Sequence, residues 1–271
     1  MTTVLAVIDA GERARPVLQT AAAIARLFNA TTTALYVRDN GAGAARQPAD
    51  AGGLELREAE GPAVPAIVAA TSEPDVVAVV LGARGLQGVQ PAGYTALDII
   101  TRVLKPVVVV PPQAAEPSRL VRVLVALEGT RESSRALTET IALADRNELE
   151  ILILHVHSPD SVPAFCDHAH HATRAWEEEF IARFVPPTRD RVSLVRRVGD
   201  PADDVARVAH DIDADLIALG WSQSLAPGRA QVVRETLAHS RVPVLLVPTP
   251  PRRVTVTPPS ASSQRRVDED A

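Results

Sequence analysis

Two groups of residues have the types and spacing to do chemistry. The first is Asp9, which follows the apolar run Val4-Leu5-Ala6-Val7-Ile8, together with Gly82-Ala83-Arg84-Gly85 after a second apolar run, and Gly93 and Thr95 beyond it. Glycines at a strand end let backbone N–H groups close on phosphate oxygens, and a following helix points its positive end at the anion. An acidic residue nearby accepts hydrogen bonds from a base or ribose. The second group is His155 and His157, spaced to share one face of a strand, followed by Cys166, His168, His170 and His171. Imidazole and thiolate are zinc or copper ligands. Five of the seven histidines thus lie between positions 155 and 171, beside the only cysteine. No CxxC or HxxxH spacing accompanies them. The run DHAHH reads equally as a polar helix start, with Asp167 capping a helix that carries Trp176 and Phe180. Metal binding through His155, His157, Cys166, His168 and His170 is therefore the alternative; no metal is expected, and Cys166 is expected as a small buried hydrophobe.

The elements that position these residues occur twice. Val4–Asp9 recurs as Val123–Glu128 at an offset of 119; Gly61 and Gly82 recur as Gly199 and Gly220 at an offset of 138; Pro106 recurs as Pro243 at an offset of 137. Four landmarks in one order indicate a tandem duplication. The change of offset places about 19 extra residues between the second and third strands of the second copy. Apolar runs such as VVAVV suit strands buried on both faces, and their alternation with helical patterns predicts α/β architecture. The expectation is two tandem doubly wound domains, each with a parallel five-stranded sheet. Residues 1–112 form the first, lacking a helix after its second strand; 113–119 form a linker. Residues 120–248 form the second, with an inserted helix at 163–184, and 249–271, rich in Pro, Ser and charge, read as a disordered tail.

At these positions both copies resemble universal stress protein domains, and together they cover nearly all of the chain outside linker and tail. The resemblance implies a HUP-like fold. In the nucleotide-binding branch of that family an aspartate after the first strand contacts adenosine, and a G-x2-G-x9-G-[ST] pattern after the fourth holds phosphates. Carried over, this makes Asp9, Gly82, Arg84, Gly85, Gly93 and Thr95 a site for ATP or ADP in the first copy. The match departs from the pattern: seven residues, not nine, separate Gly85 from Gly93, and Tyr94 stands where a small hydroxyl belongs, with Thr95 beside it. The second copy has Glu128 for the aspartate, Gln223 for the second glycine, and Ala230-Gln231 for the last pair. A Cβ at Gln223 makes a left-handed backbone cost about 1 kcal/mol, which predicts a different turn there. The family also pairs domains through their last strands, which implies an intrachain pseudo-dimer that covers the edges VVVV and VLLV.

Composition narrows the function. Lys plus Arg is 28 against 33 for Asp plus Glu, a net charge of -5, so binding to nucleic acid by net charge is not expected. Lys105 is the single lysine, and it precedes a strand rather than sitting in a phosphate loop. One cysteine rules out an intrachain disulfide and suits a reducing compartment. No apolar stretch approaches the roughly 20 residues of a membrane span, and the N-terminus lacks a secretory pattern. A cytoplasmic protein with no membrane partner is expected. GxSxG and GxxxxGK[ST] are absent, as are HIGH-like and SGGxDS-like sequences, so no enzymatic activity is assigned. The expectation is a stress-response regulatory module that binds adenine nucleotide in its first domain. The rival is a nucleotide-free scaffold that offers Trp221 and the second domain's surface to an unknown protein partner, and a further homodimer is open to either.

Overall fold

The computed structural model describes residues 1–8, 14–38, 54–83, 94–114, 119–157, 169–189, 191–224 and 230–249. The first half runs β1 (Thr3–Ile8), α1 (Ala14–Phe28), β2 (Thr31–Arg38), β3 (Glu55–Glu60), α2 (Ala63–Thr71), β4 (Val76–Gly82), α3 (Tyr94–Arg102) and β5 (Val107–Val110). The second runs β6 (Arg122–Ala126), α4 (Arg131–Arg146), β7 (Glu150–His157), α5 (Ala169–Phe184), β8 (Val192–Val198), α6 (Pro201–Asp211), β9 (Leu216–Trp221), α7 (Gln231–His239) and β10 (Val244–Pro248).

All ten strands form one sheet in the order β3-β2-β1-β4-β5-β10-β9-β6-β7-β8. Every pairing is parallel except β5 with β10. Each half is thus a doubly wound five-stranded unit. The duplication extends to register. Val7 lies opposite Leu35 and Leu81, and its counterpart Ala126 lies opposite Leu154 and Leu219, the counterparts of those two residues in the second copy. At the seam Val108 pairs with Leu245, its own counterpart in the duplication. Self-matched pairing of this kind is the isologous contact of a two-fold dimer, here made inside one chain.

Alternation of side chains across the pleat divides the core into two layers. Val4, Ala6, Val108, Val125, Ile153 and Leu245 pack under α1, α4 and α5. Leu5, Val79, Val109, Leu124, Ile217 and Leu246 pack under α2, α3, α6 and α7. Both layers run through both halves, so the seam lies within the core. In α1 the buried residues Val17, Ala21, Ile24 and Ala25 recur at three- and four-residue intervals, the stripe a helix needs to lie on a sheet. Helices α1, α4 and α6 are followed by the left-handed residues Asn29, Glu148 and Asp213. In each case the next residue donates its N–H to a carbonyl five residues back, which satisfies the helix end. The outer strands are the polar ones: β3 (ELREAE) is almost wholly exposed, and β8 carries Arg196 and Arg197. Charge along an open edge discourages further strand addition.

Candidate functional site

In doubly wound sheets a ligand crevice opens beyond the carboxyl ends of the strands, where the strand order reverses. That point lies between β1 and β4 in the first half and between β6 and β9 in the second. Because Val7 faces Leu81, Ile8 and Gly82 end side by side, and α3 starts at Tyr94. Asp9, Arg84, Gly85 and Gly93 lie outside the described residues; Thr95 stands in the first turn of α3. Gly82 closes β4 and is not among the glycines with positive φ. A Cβ on it would meet Val17 Cγ2 at 3.4 Å, an ordinary contact. Gly82 itself therefore needs no special backbone conformation.

The second half's switch point is described up to Ser224 and again from Ala230. β6 leads to Leu127, exposed Glu128 and then Gly129, whose φ of 76° calls for glycine. Thr130 caps α4, its hydroxyl accepting from the Ser133 N–H at 3.2 Å. Across the crevice, β9 runs on to Trp221, which shares a face and a core layer with Ile217 and Leu219. Trp221 is 4% exposed. It fills the core and offers no anchor to a partner, against the expectation for the scaffold reading.

Gln223 also departs from expectation. It adopts φ 56° in spite of its Cβ. Its Nε2 donates at 2.6 Å to the carbonyl of Val103, just beyond α3 of the other half. In return Gln113 Nε2 donates at 3.1 Å to the carbonyl of Ser240, just beyond α7. Each half thus supplies a glutamine amide to a helix end of the other, where carbonyls otherwise lack partners. Gln223, in the turn that would hold phosphate, is committed to this brace. Thr249 adds a second contact: its backbone N–H and its hydroxyl both donate to the Trp221 carbonyl, at 2.8 and 3.0 Å. No feature of the isolated sequence marks Thr249 or Gln113; both act through partners distant along the chain. Lys105 is structural, its ammonium donating to the carbonyls of Glu73, before β4, and of Val76, its first residue.

His155 and His157 do share a face of β7, with ring centroids 5.7 Å apart. His155 is packed by α5, its ring 5.5 Å from Trp176 and 4.8 Å from Phe180. Its Nδ1 lies 2.9 Å from the Leu127 carbonyl, which can only accept, so Nδ1 carries the proton. Burial pushes the His157 pKa down, aided by His155 and by Arg196, whose guanidinium also lies over Trp176. Cys166 and His168 lie outside the described residues, and α5 places His170 in its first turn. Among the described residues no three His, Cys, Asp or Glu side chains converge as metal ligands would. Within the same residues no helix is long and apolar enough to cross a membrane.

The universal stress protein family model matches residues 121–248. Among solved structures, the chain is similar to a functionally unknown protein of Pseudomonas aeruginosa PAO1, at 13% identity and a TM-score of 0.66, covering 92% of this chain and 93% of that one. It is also similar to a universal stress protein of Archaeoglobus fulgidus, at 18% identity and a TM-score of 0.63, covering 91% and 96%. At these identities the likeness establishes the fold, and it extends over both halves. None of the curated proteins compared matches the chain. Residues 121–248 thus form a domain of the universal stress protein family, and the same strands, in the same register, are repeated before it.

Proposed function

We propose that this is a regulatory stress-response protein that binds one adenine nucleotide, ATP or ADP, at the switch point of its first half. Asp9 accepts hydrogen bonds from the adenosine part. Backbone amides around Gly82, Arg84 and Gly85, with those of Gly93 and Thr95 at the start of α3, hold the phosphates at the positive end of a helix. With Lys105 committed elsewhere, Arg84 is the side chain that offsets the phosphate charge there. No bond-making residue is assigned, so the protein acts by binding.

One observation carries the asymmetry. The two switch points share one strand register, yet Thr249 lies against the second one, where the equivalent residue of the first half is Pro112. Proline has no N–H and cannot make the bond that Thr249 makes to Trp221. Gln223 adds to the difference, since it stands where the second glycine of the pattern belongs and its amide is occupied by the Val103 carbonyl. Isothermal titration of the full chain with ATP tests the proposal. Saturable binding that weakens at least tenfold in Asp9→Ala supports it, and no heat at millimolar ATP refutes it.

A further inference from the structure

The seam brings a segment of each half to the rim of the other half's switch point. The bond from Gln223, in the turn after β9, to the carbonyl of Val103 shows this directly: that turn and the segment before β5 are one side chain apart. Self-matched pairing of β5 with β10 requires the same arrangement around the first half, where the segment before β10 stands beside the turn after β4. The two segments correspond residue by residue. The Pro106 carbonyl accepts the Val79 N–H and the Pro243 carbonyl accepts the Ile217 N–H, both at 3.0 Å, so Val103 and Leu104 on one side match Ser240 and Arg241 on the other. Contacts at the top of the first half agree. Ala83 donates its N–H to the Val110 carbonyl at 2.8 Å, and three residues further on Gln113 reaches the Ser240 carbonyl.

The two rims differ in chemistry. The second switch point receives Leu104, 81% exposed, an aliphatic side chain with nothing to offer an anion. The first receives Arg241, which is exposed and forms no ion pair or hydrogen bond among the described residues. Its backbone is nonetheless held. Ser240 is buried, its carbonyl takes the Gln113 amide, and its Oγ donates to the Val242 carbonyl at 2.6 Å. A guanidinium on a fixed turn needs no backbone ordering to close on an anion, and its fork of N–H groups matches phosphate oxygens.

We infer that Arg241, carried by the second half, binds phosphate at the first half's switch point, so that the nucleotide site is completed across the seam. The inference rests on the reading of that switch point as a nucleotide site. It makes the exchange between the halves unequal: the first crevice gains a cation from its neighbour, and the second gains a leucine in return.

Isothermal titration of the full chain with ATP and, separately, with adenosine tests it. Arg241→Gln should weaken ATP binding about fivefold, the upper range for one exposed ion pair, and leave adenosine binding unchanged. The loss should shrink near roughly 0.5 M salt, where exposed charges are screened. Arg241→Lys should recover part of the affinity, and Leu104→Gln, the matching change at the other rim, should alter neither ligand. Circular dichroism and the urea midpoint of ligand-free Arg241→Gln should equal those of the parent. Equal ATP affinity in the parent and in Arg241→Gln overturns the inference and leaves the nucleotide site standing, as does an equal loss for adenosine and ATP. Absence of saturable ATP binding by the parent overturns both.

Discussion

Substitution of Gln223 separates two opposing energies that meet in one residue. A φ of 56° costs a residue with a Cβ about 1 kcal/mol relative to glycine. The part-buried bond from its Nε2 to the Val103 carbonyl, at 2.6 Å, returns about 1 kcal/mol. Gln223→Ala keeps the strain and loses the bond, so it should destabilise the protein by about 1 kcal/mol. Gln223→Gly loses the bond and relieves the strain, so it should stay within about 0.5 kcal/mol of the parent. In a chain of this size about 1 kcal/mol corresponds to about 2–4 °C in Tm. Urea unfolding followed by circular dichroism reads the order directly from the midpoints at unchanged slope. If the alanine variant matches the parent, the brace between the halves contributes nothing. If the glycine variant falls as far as the alanine one, the turn holds no strain.

Other outcomes follow from the same contacts. Phe180 is 4% exposed and contacts His155, Trp176 and Phe184, so Phe180→Ala should cost about 3–5 kcal/mol and lower the urea midpoint accordingly; a loss below about 1 kcal/mol would mean that α5 is not held by this cluster. The folded-state pKa of His157 lies below its ordinary value, so the native state favours the neutral ring. Its stabilising contribution is then complete above the ordinary imidazole range and is lost as pH falls through that range to the lower folded-state value. His157→Gln should flatten this part of the stability–pH curve, and an unchanged curve would place the titration elsewhere.

The fold could be read from the chain because its strands are nearly continuous apolar runs that must be buried on both faces. VAVVLG at 77–82 and DLIALG at 215–220 are related by an offset of 138, and that offset reappears as hydrogen-bond register between strands. The self-pairing of Val108 with Leu245 follows the last-strand pairing implied by the family resemblance. What escaped the sequence depends on long-range partners. A glutamine in a left-handed turn looks unfavourable until a carbonyl 120 residues away accepts its amide. Trp221 resembles a surface anchor if β9 ends at 219, but strand alternation continues two residues further and turns it inward with Ile217 and Leu219. His155 has the chemistry of a ligand and also the shape of a core residue, and the aromatic face of α5 decides for packing. Asp9, Arg84, Gly85 and Gly93 lie outside the described residues, so the phosphate-holding part of the first switch point rests on the sequence pattern alone.

The functional asymmetry of the two halves is the central claim, and nucleotide stoichiometry tests it most directly. Native mass spectrometry of the untagged full chain with ATP should show one nucleotide per chain, lost in Gly85→Val and retained in Glu128→Ala. Two nucleotides per chain, or a single one that survives Gly85→Val and disappears in Glu128→Ala, would contradict it.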